Sequence, residues 1–209
     1  MFLEAVGRPR HNSSTNSHFN GNIGIYPFTV EVIKERYKKM MIDHVIPDIR
    51  SRFPRPLASA SSEERICWVQ QDNARPHLIN SDPEIRAAMS ADGWDIRLVN
   101  QPAISPDTNI LDLGFFNTIQ SRQDRTTLRS VDDVVKAVKE AWNKDTPDVL
   151  NRVWLSLQAC LEQIMLVGGD NDYKLPHICN GRLENAGTLP WQLGCTDDAC
   201  AKGASALAE

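Results

Sequence analysis

Two acidic residues stand where apolar runs end. In "WVQQDNARPH" (68–77) Asp72 follows a short apolar stretch and is trailed by Asn73, Arg75 and His77; in "SPDTNILDLGFF" (105–116) Asp112 lies among Leu and Phe. A carboxylate just past the carboxyl end of a strand sits where ligands collect in open α/β sheets. A carboxylate placed there can meet a metal ion. Around them Asn73 could orient a water or Asp72, Arg75 could meet a phosphate, and His77 could hold Asp72 in place. Each residue also has a plainer reading. Asp72 and Asn73 suit a turn at a strand end. Asp112 suits the third position of a helix capped by Asn109. Arg75 suits a solvated surface, and His77 suits packing at a helix start.

The elements that must carry these residues follow from periodicity. "MFLEAVGRPR" reads as a strand, "HNSSTNSHFNGN" as a polar loop, and "IGIYPFT" as a second strand that closes an antiparallel hairpin. Pro27 donates no ladder hydrogen bond, which puts that strand at an edge. Ile33, Tyr37, Met40, Met41, Val45 and Ile49 recur at helical spacing over 30–52, with a bend expected at Pro47. "ICWVQ" (66–70) has the near-continuous apolar pattern of a central strand covered on both faces. Ser81 and Glu84 form a capping box with Pro83 in the first turn, so a helix is predicted over 82–91, stopping at Gly93.

"WDIRLVNQ" is the next strand, and Asn109 caps a helix bearing Leu111, Phe115, Phe116 and Ile119. Two further helices are predicted over 131–143, capped by Ser130 with Asp133 at the box position, and over 147–167, with Thr146 as cap and Pro147 at its first position. Trp68, Trp94, Trp142 and Trp154 are assigned to the core. The order of elements implies a mixed sheet, antiparallel at one side and parallel at the other, flanked by helices.

Composition narrows the function classes. The 209 residues are 41% hydrophobic and 24% charged, an ordinary globular balance, and the formal net charge of −4 argues against a nucleic-acid binder held by bulk positive charge. No run reaches the roughly 20 apolar residues of a membrane span, so no membrane partner and an intracellular location are expected. Five cysteines, Cys67, Cys160, Cys179, Cys195 and Cys200, are scattered without a close CxxC pair, which favours reduced thiols. His177 with Cys195 and Cys200 is a grouping of softer donors, for which a solvated tail is the preferred reading.

Taken together, the strings "QQDNARPH" and "QPAISPDTNILDLGFF" resemble the mariner branch of the Tc1/mariner transposases, whose catalytic domain carries a DN-x-x-x-H stretch after a strand and an SPDLNP-like stretch before its last acidic residue. Asp112 matches that last residue. The 39 residues 73–111 between Asp72 and Asp112 resemble the spacing of the mariner-like group known chiefly from plants, in which Asp closes the triad. "NGNIGIYPF", "LDLGFFNTIQS" and "LNRVWLSLQACLEQIM" also resemble that group, so the likeness covers roughly residues 1–190. Thr108 and Ile110 depart from the usual Leu and Pro or Val.

The resemblance implies a ribonuclease-H-like α/β fold in which three carboxylates hold two Mg²⁺ or Mn²⁺ ions. Two such ions roughly 3.5–4 Å apart clamp the attacking and leaving oxygens of an in-line phosphoryl displacement. It implies Asp72 and Asp112 as catalytic and metal-ligating residues, with Asn73, Arg75 and His77 supporting. DNA, as transposon ends and target, is the implied partner, a homodimer is allowed, and the nucleus is the implied location.

The family's helix-turn-helix region and the strand bearing its first Asp have no counterpart here. Asp43 and Asp48, the first aspartates, fall on the predicted helix of 30–52. The expectation is therefore a truncated, inactive copy that lacks its central strand. It comprises a partial ribonuclease-H-like core over 1–125, a helical extension over 126–194 and a disordered tail over 195–209. Two rival readings are a domesticated, transposase-derived module kept for DNA association or dimerisation, and an unrelated metal-dependent hydrolase.

Overall fold

The structure, a computed structural model, describes all residues except 13–15, 56–58, 78–80, 116–129, 145–146, 177, 179 and 209. It is a mixed α/β protein that divides into two compact units. One comprises Met1–Ala103 with Arg122–Pro147, the other Ile104–Ser121 with Asp148–Glu209.

In the first unit, β1 (Phe2–Val6) pairs antiparallel with β4 (Asn22–Pro27), as the hairpin reading requires, and Phe28 N donates to Met1 O at 2.7 Å to extend the ladder. The segment read as a polar loop folds back on itself, so that β2 (Arg10–Asn12) pairs with β3 (Ser17–Phe19). Phe19 supplies the reason: only 6% exposed, it packs edge-on against Phe53 and ties the hairpin to the core. On β4 the Tyr26 ring lies over Gly24, where an added Cβ would come within 2.0 Å of the hydroxyl. That hydroxyl donates to Asp48 Oδ2 at 2.6 Å, which gives Asp48 a structural partner.

The predicted amphipathic helix runs as α1 (Lys34–Met40) and α2 (Ile46–Arg52), joined by a wide π-type turn over Met41–Val45. Pro47 accounts for the widening. It has no N–H to give the carbonyl of Asp43 four residues back, and its ring crowds that carbonyl, so the ladder opens there without breaking. Met41, Val45, Ile46 and Ile49 remain buried through the turn.

The parallel pair is β5 (Ile66–Gln71) and β6 (Asp95–Asn100), linked by α3 (Pro83–Ser90). The cap of α3 is Asp82, whose Oδ1 accepts from Glu84 N and Ile85 N at 3.1 and 3.2 Å; the predicted cap, Ser81, lies one residue too early. Cys67, Ile96 and Leu98 face the core, whereas Trp68 is 59% exposed and rests beside the Arg97 guanidinium, 5.7 Å from its ring centre. The strand is thus covered on one face, and Trp68 is not a core residue. Cation–π contact and the Arg stem shield part of the ring on the open side. Trp94 and Trp142 are buried as expected.

Antiparallel and parallel pairs are both present, but as separate two-stranded sheets with no ladder joining them among the described residues. A single core lies under both, built from Ile23, Tyr26, Phe28, Tyr37, Ile46, Ile49, Ile85 and Ile96. Each fully buried aliphatic side chain there contributes about 1.5–3 kcal/mol. Helix α4 (Val131–Lys144) packs on β4, with Ser130 Oγ accepting from Asp133 N at 3.1 Å as the capping box requires.

The second unit is organised by α5 (Pro147–Leu166), whose polar side chains hold the irregular segment that follows. Asn151 Nδ2 donates to Pro190 O, Gln158 accepts from Leu193 N, and Arg152 pairs with Glu184 on α6 (Asn180–Asn185). Where a disordered tail is expected, the structure has α7 (Asp197–Ala206), capped by Thr196. Phe116 and Ile119, the Thr146 cap, His177 and Cys179 lie outside the described residues.

Candidate functional site

Asp72 stands at the carboxyl end of β5, on a strand end that is tightly clamped. Gln101 N donates to Gln71 O at 2.8 Å, continuing the pairing one residue past β6, and Asn73 Nδ2 donates to Gln101 O at 2.8 Å. Beneath them Gln71, 8% exposed, donates from Nε2 to Asn100 Oδ1 at 2.9 Å, while the Tyr37 hydroxyl reaches Gln71 Oε1 at 3.5 Å. These bonds fix where the chain leaves the sheet and hence where the Asp72 carboxylate begins.

The turn "DNARPH" fixes where it points. Asp72 Oδ1 accepts from Ala74 N at 2.8 Å, and His77 N donates to Ala74 O, bringing the imidazole back over the strand end. There His77 Nδ1 lies 2.7 Å from Asp72 Oδ1 and 2.8 Å from the Asp72 carbonyl oxygen. The ring packs on Tyr37 with centroids 4.5 Å apart and is only 17% exposed. The imidazole thus contacts both Asp72 and Tyr37. Burial, and then the Asp72 charge, push the Tyr37 hydroxyl well above the ordinary tyrosine range, so Tyr37 stays a neutral donor beside the carboxylate. Among the described residues Asp72 Oδ2 has no hydrogen-bond partner and the side chain is half exposed, which leaves one oxygen open to a ligand. Arg75 is exposed.

Asp112 belongs to the second unit. Asn109 Oδ1 accepts from Leu111 N at 3.0 Å, and Leu113 N donates to the Asn109 carbonyl, so Asn109 opens a short wide turn over Leu111–Phe115. Asp112 is exposed and its Oδ2 accepts from Asn109 Nδ2 at 2.9 Å. The acid thus reaches back to the side chain of the cap as well as sitting in its first turn. Just upstream, Thr108 is buried and donates to Ser105 O at 2.8 Å, and Tyr173 donates to Asp107.

The donors fit a hard cation in kind: both candidates are carboxylates, and Asp72 presents a free oxygen where Mg²⁺ prefers one or two carboxylates and water. In number they fall short within either unit, for no group of three or more His, Cys, Asp or Glu arranged for a metal occurs among the described residues.

No family model, no curated protein and no solved structure matches this chain. No helix among the described residues is long and apolar enough to cross a membrane.

Tyr37, Gln71 and Asn100 also support the strand end that carries Asp72. Gln71 carried a signal: it shares the inward phase of Cys67 and Val69, and a polar side chain facing a core demands partners. Tyr37 gave none, because its ring serves the apolar stripe of α1 equally well.

Proposed function

We propose that the chain is a mariner-like transposase catalytic core of ribonuclease-H-like type, in which Asp72 and Asp112 are metal-ligating carboxylates and which does not cleave or join DNA by itself. The observation that carries this reading is the Asp72 arrangement: a carboxylate beyond the carboxyl end of a parallel strand, oriented by the His of the same DN-x-x-x-H stretch, with one oxygen open. The ordered "SPDTNILDLGFF" string supports it from the sequence side. Mg²⁺ or Mn²⁺, when bound, would supply Lewis-acid stabilisation of a phosphodiester under attack. The chain's own residues hold the ligand oxygens: His77 and Ala74 N fix Asp72, Asn109 fixes Asp112, and Tyr37 and Gln71 keep the strand end in place. Two carboxylates supply less charge than the three that the resemblance implies, so weak metal binding and no turnover are the expected properties. DNA is the proposed partner and the nucleus the proposed location.

The test is Mn²⁺ titration of the purified chain beside Asp72→Ala and Asp112→Ala, with a parallel assay on DNA carrying mariner-like terminal repeats. Weak Mn²⁺ binding that each variant diminishes, without DNA cleavage, is expected. Equal Mn²⁺ binding by all three proteins would overturn the site, and cleavage that disappears in Asp72→Ala would overturn the claim that the chain is inactive alone.

A further inference from the structure

Helix α7 opens with a pattern that the proposed function does not use. Thr196 is its N-cap, accepting from Ala199 N at 3.4 Å, so Cys195 stands one residue before the cap and Cys200 is the fourth residue of the helix. These are the two positions whose side chains meet across a helix start, where apolar residues ordinarily form the hydrophobic staple. Here the contact is made by two thiols. Cys200 Sγ donates to Cys195 Sγ at 3.0 Å, and both residues are exposed and unbridged. The start of the helix is held from the neighbouring element as well, since Glu162 Oε1 on α5 accepts from Thr196 N at 3.0 Å.

We propose that Cys195 and Cys200 form a thiol–disulfide exchange site, which low-molecular-weight disulfides such as oxidised glutathione convert to an intrachain disulfide stapling the first turn of α7. A disulfide needs its sulfurs about 2.05 Å apart, so the bond requires closure of about 1 Å between groups already in contact. The reaction balances without any further reagent. The thiolate of one cysteine attacks the oxidant, breaking its S–S bond and releasing one small thiol, and leaves a mixed disulfide. The second cysteine then attacks the protein sulfur and expels the other small thiol, so two protein thiols are oxidised as one disulfide is reduced to two thiols.

The hydrogen bond with Cys200, then loss of water and the charges of Cys200, Glu162 and Asp197, push the Cys195 thiol up to about 11. The remaining described cysteines, Cys67 and Cys160, are buried.

The experiment equilibrates the purified 209-residue chain in buffers of oxidised and reduced glutathione, quenches with acid, alkylates with iodoacetamide and maps residues 195 and 200 by peptide mass spectrometry. As the buffer turns oxidising, the two alkylation sites should disappear together with a mass loss of about 2 Da, and Cys200→Ser should abolish that loss. The dithiol should be oxidised at a glutathione ratio about tenfold or more below that needed in concentrated urea, because the helix start holds the sulfurs together. Separate glutathionylation of the two cysteines, pairing of either with another cysteine, or an equilibrium unchanged by urea would overturn the proposal.

Discussion

At the scale of single residues, the proposed metal site depends on how Asp72 is held. Its Oδ1 is engaged by Ala74 N and His77 Nδ1, so the side chain enters any ligand contact with its rotamer already set. Residues that orient a metal-ligating carboxylate typically change metal affinity by 10–100-fold when removed. His77→Ala should therefore weaken Mn²⁺ binding by about tenfold while leaving the fold intact, as a calorimetric titration would show; unchanged affinity would make His77 a packing residue alone. A second residue-level consequence concerns pH. Burial pushes the Cys67 thiol up to about 11, partly offset by the Arg10 charge. Folding thus favours the protonated thiol. The stability this contributes is complete below the ordinary thiol range near pH 9 and is lost as pH rises through about 11. The two-unit shift corresponds to about 2–3 kcal/mol at most. Denaturant titrations at pH 8 and pH 11 should show a loss that is smaller in Cys67→Ala.

At the scale of elements, local chemistry decided most of what was legible in advance. The Ser130 and Asp133 capping box, the period of the α1–α2 stripe and the apolar run of β5 all produced the elements they predict, because each signal is satisfied within its own segment. The errors arose where two neighbouring residues could serve or where a partner is distant. Ser81 and Asp82 both suit an N-cap, and Asp82 prevails because Lys38 on α1 meets the same carboxylate at 3.1 Å and favours its charged form. Asp82→Ala should cost about 1–2 kcal/mol in a chemical melt, whereas Ser81→Ala should stay within about 0.5 kcal/mol; equal losses would refute the assignment. Trp68 was read as core because its run is apolar, but which face of a strand is covered depends on elements elsewhere in the chain. The helical order of 197–206 was illegible for a related reason: small residues bury little, and α7 is held by Thr196 and by Glu162 from thirty-four residues away.

At the scale of the whole molecule, the expectation of one mixed sheet came out as separate antiparallel and parallel pairs over one core, and the two candidate carboxylates fall in different units. The placement of Asp72 at a strand end and of Asp112 in a turn opened by Asn109 was legible, since each follows a recognisable local pattern, but hydrogen bonds such as Tyr37 to Gln71 join segments whose meeting no local signal announces. With a net charge of −4, binding to DNA should be weak and lost as salt rises, with no preference for one sequence over scrambled competitors in a gel-shift titration. Tight, salt-resistant binding to a single sequence would contradict that. The central claim is that Asp72 ligates a divalent metal through its open oxygen, and Fe²⁺ in place of Mg²⁺ tests it most directly. With ascorbate and peroxide the bound iron should cut the polypeptide near residue 72, and excess Mg²⁺ or Asp72→Ala should suppress that cut. Absence of a cut near residue 72, or a cut there that persists in Asp72→Ala, would contradict it.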